Sequence, residues 1–217
     1  MNKREFLGAA LAGGALPGLA VAATVKPAGP VLLTISGNIK RPNRGPLDPA
    51  LDQMMAKHKL AFTQAHGLDF AALARLPART IRPTLEYDGK VHALRGPQLA
   101  DVLALAGAPR GLDTRITLRA VDGYAAAITL RQAQAQGFIV ATHLDGQPLA
   151  LGGLGPLWAM YDADRIPEMA AQPLAARFGA CPVGAVSHRG AGIGVRARRL
   201  RPRARRRERR GNGKTQA

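Results

Sequence analysis

The sequence predicts an α+β fold, a mixed β-sheet domain with short helices. Short alternating apolar stretches, bounded by Gly, Pro and Asp, are typical of strands, and short amphipathic stretches between them are typical of helices. The chain has 217 residues, 4% of them aromatic, with 25 Gly and 16 Pro. This composition favours a single loop-rich domain with extensions, packed mainly by Ala, Leu and Val.

The first half of the domain alternates strands and helices. The predicted strands are 31–37, 80–87 and 91–94; the predicted helices are 48–55, 68–77 and one that begins at 96–97 and ends at Gly107. Asp69 is a suitable N-cap for the second helix, because its carboxylate can accept a hydrogen bond from the first turn. Asp88-Gly89 is a hairpin turn signal between the second and third strands.

The second half is richer in strands. The predicted strands are 115–120, 125–128, 138–142 and 156–161, and a polar helix is predicted at 129–136. Gly179-Ala180-Cys181-Pro182 resembles the approach to a closing strand. Glu86, Asp88, Asp122 and Asp145 lie mostly at turn positions, where Asp is favoured by local hydrogen bonds, and they form no evident acid/base pair.

The N-terminus resembles an export signal. A charged start, M-N-K-R-E-F-L, precedes a short apolar run and small residues suited to cleavage near Ala20-Val21-Ala22. Lys3-Arg4 matches a twin-arginine signal with Lys in the first place, and an ordinary secretory signal is the alternative. We expect residues 1–23 to be a signal peptide, 24–30 a linker, and the protein to be periplasmic, without a membrane span.

The charge of the chain is concentrated at its C-terminal end. The formal net charge is +17, and the last 35 residues contain eleven Arg, one Lys and one Glu. A basic balance of this size suggests nucleic-acid binding, but an exported protein makes a DNA-binding role improbable. Residues 183–217 are therefore interpreted as an Arg-rich disordered tail, whose one possible activity is non-specific polyanion binding.

The number and spacing of the cysteine and histidine residues do not indicate a metal site. The single cysteine, Cys181, excludes an intrachain disulfide and any multi-cysteine site, and a lone cysteine of this kind is more often a small buried hydrophobe than a ligand. The five histidines, at 58, 66, 92, 143 and 188, show no paired spacing. No metal site is predicted from the residues.

The stretch 85–161 contains four segments in a recognisable order: Y-D-G-K-V-H-A-L-R-G-P-Q-L-A-D-V-L-A-L-A-G, V-D-G-Y-A-A-A-I-T-L, F-I-V-A-T-H-L-D-G-Q-P-L and G-L-G-P-L-W-A-M-Y. In this order they resemble the molybdopterin-binding domain of sulfite-oxidase-like oxidoreductases. With the opening strand V-L-L-T-I-S-G it spans residues 31–182. It implies a sulfite-oxidase-like fold and, if the protein is active, oxygen-atom or two-electron transfer at molybdenum held by molybdopterin.

Two family hallmarks are missing from this chain. The family's molybdenum-ligating cysteine follows the strand corresponding to 80–86, and no cysteine is there. Its phosphate-binding Arg corresponds to the neighbourhood of Gly155-Pro156-Leu157-Trp158, where Trp158 stands instead. We therefore expect the cofactor to be absent and no catalytic residue to carry over. The expected remnant is a pocket near Tyr124, Trp158 and Tyr161. In such a strand Trp158 and Tyr161 are more often core residues than ligand contacts, and Tyr124 could equally be an ordinary strand residue beside a turn.

Three functions follow from these observations. The first is an exported molybdopterin-oxidoreductase-like protein, with a possible redox partner. The second is a non-catalytic periplasmic module that binds a small ligand or a partner through the same fold. The third is polyanion binding by the tail, which contains no aromatic residue for base stacking.

The tail itself suggests a change of reading frame. Pro-Val-Gly-Ala-Val-Ser-His-Arg-Gly, from residue 182 onward, can be encoded so that loss of one base gives Pro-Trp-Gly-Leu-Tyr-His-Ile-Glu. That peptide has aromatic and β-branched residues suited to a final strand. We predict that sequencing of the coding DNA will reveal a single-base change that restores this strand. Coding DNA in which no such change exists would contradict the hypothesis and leave a genuine basic tail.

Overall fold

The computed structural model describes residues 26–177, 181–182 and 185–189. Small sheets and short helices form a mixed α and β architecture, as predicted. The strands are β1 (Leu33–Gly37), β2 (Ala65–Leu68), β3 (Ala78–Ile81), β4 (Leu94–Pro97), β5 (Arg115–Arg119), β6 (Ala125–Thr129), β7 (Ile139–Ala141), β8 (His143–Leu144), β9 (Gln147–Pro148), β10 (Trp158–Met160), β11 (Cys181–Pro182) and β12 (Ala185–Arg189).

The helices are short throughout. They are α1 (Gln53–Lys57), α2 (Phe70–Ala74), α3 (Leu99–Leu105), α4 (Leu130–Ala135), α5 (Pro167–Ala170) and α6 (Leu174–Arg177), with a 3₁₀ turn at Ala163–Arg165. None of the helices in the described ranges is long and apolar enough to cross a membrane. The predicted signal segment 1–23 and the Arg-rich run after residue 189 lie outside the described residues.

The largest sheet has β12 in its middle. Its five strands are ordered β2-β1-β12-β5-β6. β12 is parallel to β1, with Thr34 opposite Ala185, and antiparallel to β5, with Ala185 opposite Arg119. The pair β1–β2 is therefore joined to the hairpin β5–β6 through the backbone of β12.

The position of β12 corrects the predicted domain boundary. We expected the domain to end at residue 182 and the residues from 183 to add no strand to it. That expectation is wrong for Ala185–Arg189, which pair on both sides. The physical reason is that ladder hydrogen bonds come from the backbone, so two flanking strands can hold a segment whose own strand propensity is weak.

Two smaller sheets complete the fold. One has the order β11-β10-β7 and the other β3-β4-β8-β9. β8 follows β7 after one residue, so the chain runs directly from one sheet into the other. β4 and β7 approach so closely that a Cβ added at Gly96 would lie 1.9 Å from the carbonyl oxygen of Val140, which requires glycine there.

The strand β10 separates two hydrophobic clusters. Successive residues of a strand point to opposite faces. Trp158 and Met160 therefore pack with Leu94 and Ile139 in the smaller cluster. Ala159 and Tyr161 belong to the larger cluster, which also holds side chains of β1, β5 and α3.

The predicted strand 80–87 is wrong beyond Ile81. After β3 the chain leaves the sheet, because the backbone N–H of Arg82 donates to Asp162 (3.3 Å) and that of Thr84 donates to Asp164 (2.6 Å). β3 pairs with β4. The predicted hairpin around Asp88-Gly89 is present in a short form, with one bridge between Thr84 and Val91 and backbone hydrogen bonds from Leu85 to Lys90 (2.9 Å) and from His92 to Pro83 (3.1 Å).

Other predicted elements are confirmed or shifted. The strands β5 and β6, helix α3 and helix α4 are confirmed, and α4 begins with a capping box between Thr129 and Gln132. The helix predicted at 48–55 is shifted to Gln53–Lys57, and before it Asp48 accepts hydrogen bonds from Ala50 and Leu51 in a turn. β2 was not predicted at all.

We predict that the chain ended after Gly184 loses its cooperative thermal transition, whereas the chain ended after Arg189 keeps it. Ending at Gly184 removes the strand that joins β1 to β5 and leaves two inner sheet edges unpaired. Circular dichroism melting of both chains beside the full-length protein measures the effect. An unchanged melting temperature for the shorter chain would contradict the position of β12.

Candidate functional site

Asp69 connects three segments at one end of the largest sheet. Its Oδ1 accepts the backbone N–H of Ala72 at 2.8 Å and so caps α2, as predicted from the sequence. Its Oδ2 accepts the N–H groups of Ala28 and Gly29, each at 3.0 Å. The residue is 5% exposed. Hydrogen bonds from Gly29 and Ala72 hold the pKa of Asp69 below its usual range, so the carboxylate is the stable form.

Asn43 holds a loop against the free edge of β2. Its side-chain Oδ1 accepts the N–H of Gly67 at 2.7 Å and its Nδ2 donates to the carbonyl of the same residue at 2.9 Å. Nδ1 of His66 contacts the carbonyl oxygen of Arg41. Because a carbonyl oxygen only accepts, the proton lies on Nδ1. The loop that contains Arg41 and Asn43 is thus fixed beside β2.

These segments enclose a cleft of about 480 Å³. The N-terminal segment, the 41–43 loop, β2 and α2 form its walls, and Leu105 of α3 contributes from behind. Its lining residues are Lys26, Pro27, Ala28, Arg41, Asn43, His66, Gly67, Leu68, Asp69, Ala72, Arg75, Leu76 and Leu105. Aliphatic side chains and basic groups therefore share one concave surface of the size typical of small-molecule sites.

The three residues of the predicted remnant pocket lie apart in the fold. Trp158 is 4% exposed and belongs to the smaller hydrophobic cluster, where its ring contacts that of Tyr87. Tyr161 is buried in the larger cluster against Phe138, and its hydroxyl donates to the carbonyl of Arg177. Tyr124 is 50% exposed beside the β5–β6 turn. For Trp158 and Tyr161 the structure supports the core interpretation that the sequence left open.

The positions corresponding to the family's cofactor ligands do not fit molybdopterin. The stretch after β3 runs from Arg82 to Glu86 and contains no thiol. Trp158, at the place of the phosphate-binding Arg, packs with Leu94 and Met160 and presents no guanidinium. Among the described residues, no three His, Cys, Asp or Glu side chains come together in a way that could hold a metal ion.

A polar cluster outside the cleft forms around His92. Its Nδ1 donates to Asp145 at 2.6 Å and its Nε2 donates to Asp88 at 2.9 Å. These hydrogen bonds, that of Asp145 first, raise the pKa of His92, and the bond from His92 lowers the pKa of each carboxyl. Asp145 also accepts the N–H of Ala93 at 2.8 Å. The cluster joins two turns on the surface.

Two of the four acidic residues assigned to turns, Asp88 and Asp122, make the local hydrogen bonds expected there. Asp88 accepts the N–H of Lys90 at 3.0 Å, and Asp122 accepts that of Tyr124 at 2.9 Å. Sequence reasoning missed the partnership of His92 with the two carboxylates. It also missed the cleft, for which the basic, Pro-rich loop at 40–49 was the one available signal.

We predict that Asp69→Asn lowers the melting temperature by several degrees at neutral pH. Asn remains a good N-cap, so the loss comes from the bonds to Ala28 and Gly29 and from the charge. Because the folded pKa of Asp69 lies below its unfolded value, its contribution is present above about pH 4 and is lost as the pH falls through the folded pKa.

Thermal melts of wild type and Asp69→Asn from about pH 7 down to about pH 3 measure this difference, which should narrow on acidification. Asp113→Asn is the matched control, since Asp113 makes an exposed contact with Arg131. A gap that is independent of pH, or equal to that of the control, would contradict the role given to Asp69.

Comparisons with known proteins do not identify the chain. No protein-family model matches it. No curated protein matches it either. The resemblance to sulfite-oxidase-like domains therefore stays a prediction from the sequence motifs, and the chemistry of the site is argued from its own residues.

Proposed function

We propose that the protein is an exported, non-catalytic binding module that holds a small ligand in the cleft beside Asp69. The observation that carries this proposal is the cleft itself, about 480 Å³ with walls from four separate segments. Ligand sites are concave, largely apolar and supplied with a few polar groups that orient the ligand. Leu68, Leu76 and Leu105 supply the apolar part. The basic side chains at the rim of the cleft, Lys26, Arg41 and Arg75, supply the polar part.

The cleft is held in shape by hydrogen bonds that do not involve a ligand. Asp69 fixes the N-terminal wall to α2, and Asn43 fixes the 41–43 loop to β2. Groups positioned in this way need little reordering when a ligand enters, so less binding energy is lost in ordering the site. This arrangement supports binding rather than a purely structural role.

We further propose that the fold is related to the sulfite-oxidase-like molybdopterin-binding domains. The order of the motifs in 85–161 supports it, and the mixed sheets are compatible with it. The thiolate and guanidinium that the family uses have no counterparts at the matching positions. We therefore favour the binding-module function over the enzymatic one.

We expect the wild-type protein, purified gently from its native host, to carry a small molecule and no stoichiometric molybdenum or pterin. Native mass spectrometry, followed by metal and pterin analysis, measures both. Ala28→Phe should remove the bound molecule, because Ala28 lines the cleft and a phenyl ring there would fill it.

Ala71→Phe is the matched control, since Ala71 is exposed on α2 and does not line the cleft. Equal loads of bound molecule in wild type and Ala28→Phe would place the ligand elsewhere. Stoichiometric molybdenum and pterin in the wild type would replace the binding module with an oxidoreductase.

A further inference from the structure

We propose that the cleft binds an aliphatic carboxylate, with its carboxylate at the basic rim and its hydrocarbon chain against the leucine wall. This inference rests on the proposed function and names the ligand class of the same site. It is carried by the separation of charge and apolar surface within one cleft.

The rim of the cleft has more positive than negative charge. Lys26, Arg41 and Arg75 all line it, and each comes from a different segment of the chain. None of the three forms an ion pair with a described carboxylate within 4 Å. Arg41 donates to the carbonyl of Ala104, which leaves other guanidinium N–H donors for a ligand.

Asp69 is the one carboxylate among the lining residues, and it does not compete for these cations at close range. Its two oxygens accept three backbone N–H groups, and the residue is almost fully buried. The charge of Arg75 also lowers the pKa of Asp69, but by less than the backbone hydrogen bonds do. The rim thus retains an excess of positive charge that an anionic ligand would neutralise.

The body of the ligand is inferred from the apolar wall. Leu68, Ala72, Leu76 and Leu105 are aliphatic, and no Phe, Tyr or Trp side chain lines the cleft among the described residues. An alkyl chain is stabilised by burial against such a wall, because its apolar surface is removed from water.

A carboxylate fits the rim better than a phosphate does. Phosphates are commonly held by several free backbone N–H groups at a helix start. Here the first turn of α2 is capped by Asp69, and the N–H groups of Ala28 and Gly29 are bound to the same side chain. The available donors are the side chains of Lys26, Arg41 and Arg75, and a guanidinium can bind a carboxylate through two parallel hydrogen bonds.

The test uses the full-length chain and four probes with the same alkyl chain: octanoate, 1-octanol, octylammonium and octyl phosphate. Isothermal titration at about 0.15 M salt limits weak binding to exposed charges. We expect octanoate to bind at least about tenfold more tightly than octanol, as for a charge-assisted hydrogen bond, and octylammonium not to bind.

Matched variants separate the cleft from the Arg-rich run at the end of the chain. Arg41→Gln/Arg75→Gln should weaken octanoate binding at least about tenfold, while Arg79→Gln/Arg115→Gln should leave it unchanged. Arg79 and Arg115 are exposed and do not line the cleft. All these chains keep the same terminal charges, and circular dichroism verifies that each variant is folded.

The outcomes distinguish this inference from the function on which it rests. Equal binding of octanol and octanoate, or tighter binding of octyl phosphate, overturns the carboxylate class and leaves a binding cleft. If both double variants bind octanoate as tightly as the wild type does, the carboxylate is bound by other charges of the chain. That result also overturns the inference. If no probe binds and Ala28→Phe retains the host-derived molecule, the proposed function fails as well.

Discussion

The backbone pairing of β12 with β1 and β5 is the interaction on which the largest sheet depends. β2 is hydrogen-bonded to β1, and β1 reaches β5 through Ala185–Arg189. The cleft is built on β2 and on the helix that follows it, and both also contribute side chains (Leu68 and Leu73) to the main core. The alternative-frame peptide Leu-Tyr-His-Ile-Glu falls on residues 185–189, where the sheet offers a place for stronger strand formers. The frameshift hypothesis thus gains a structural location, although it stays a hypothesis.

Local patterns predicted those elements whose stabilising partners are close in sequence. The capping box of α4, the cap at Asp69 and the hairpin β5–β6 each need partners within a few residues. The strand predicted at 80–87 failed because Asp162 and Asp164 lie about eighty residues away. The cleft was not predicted for the same reason, since Lys26, Arg41 and Arg75 come together only in the folded chain.

Trp158 stands where the sequence resemblance implies a phosphate-binding Arg, and in this structure the residue is part of the core. Its strand, β10, lies between two clusters, and the inward position at 158 is filled by a large apolar side chain. A guanidinium buried there without a partner would be costly. The large apolar side chain at position 158 therefore serves packing in this chain, and the motifs around it do not by themselves establish a chemistry.

The contact between Asn43 and Gly67 has a consequence for self-association. Gly67 lies on β2, an outer strand of the largest sheet as described, and an open outer strand is a template for pairing with another molecule. The amide of Asn43 occupies both hydrogen-bonding groups of Gly67, much as a residue of a neighbouring strand would. The side chain of Asn43, together with the backbone hydrogen bonds of Asn43 and Arg44 to Ala65, thus covers part of an edge that would otherwise favour intermolecular β-pairing, and it does so without a full additional strand.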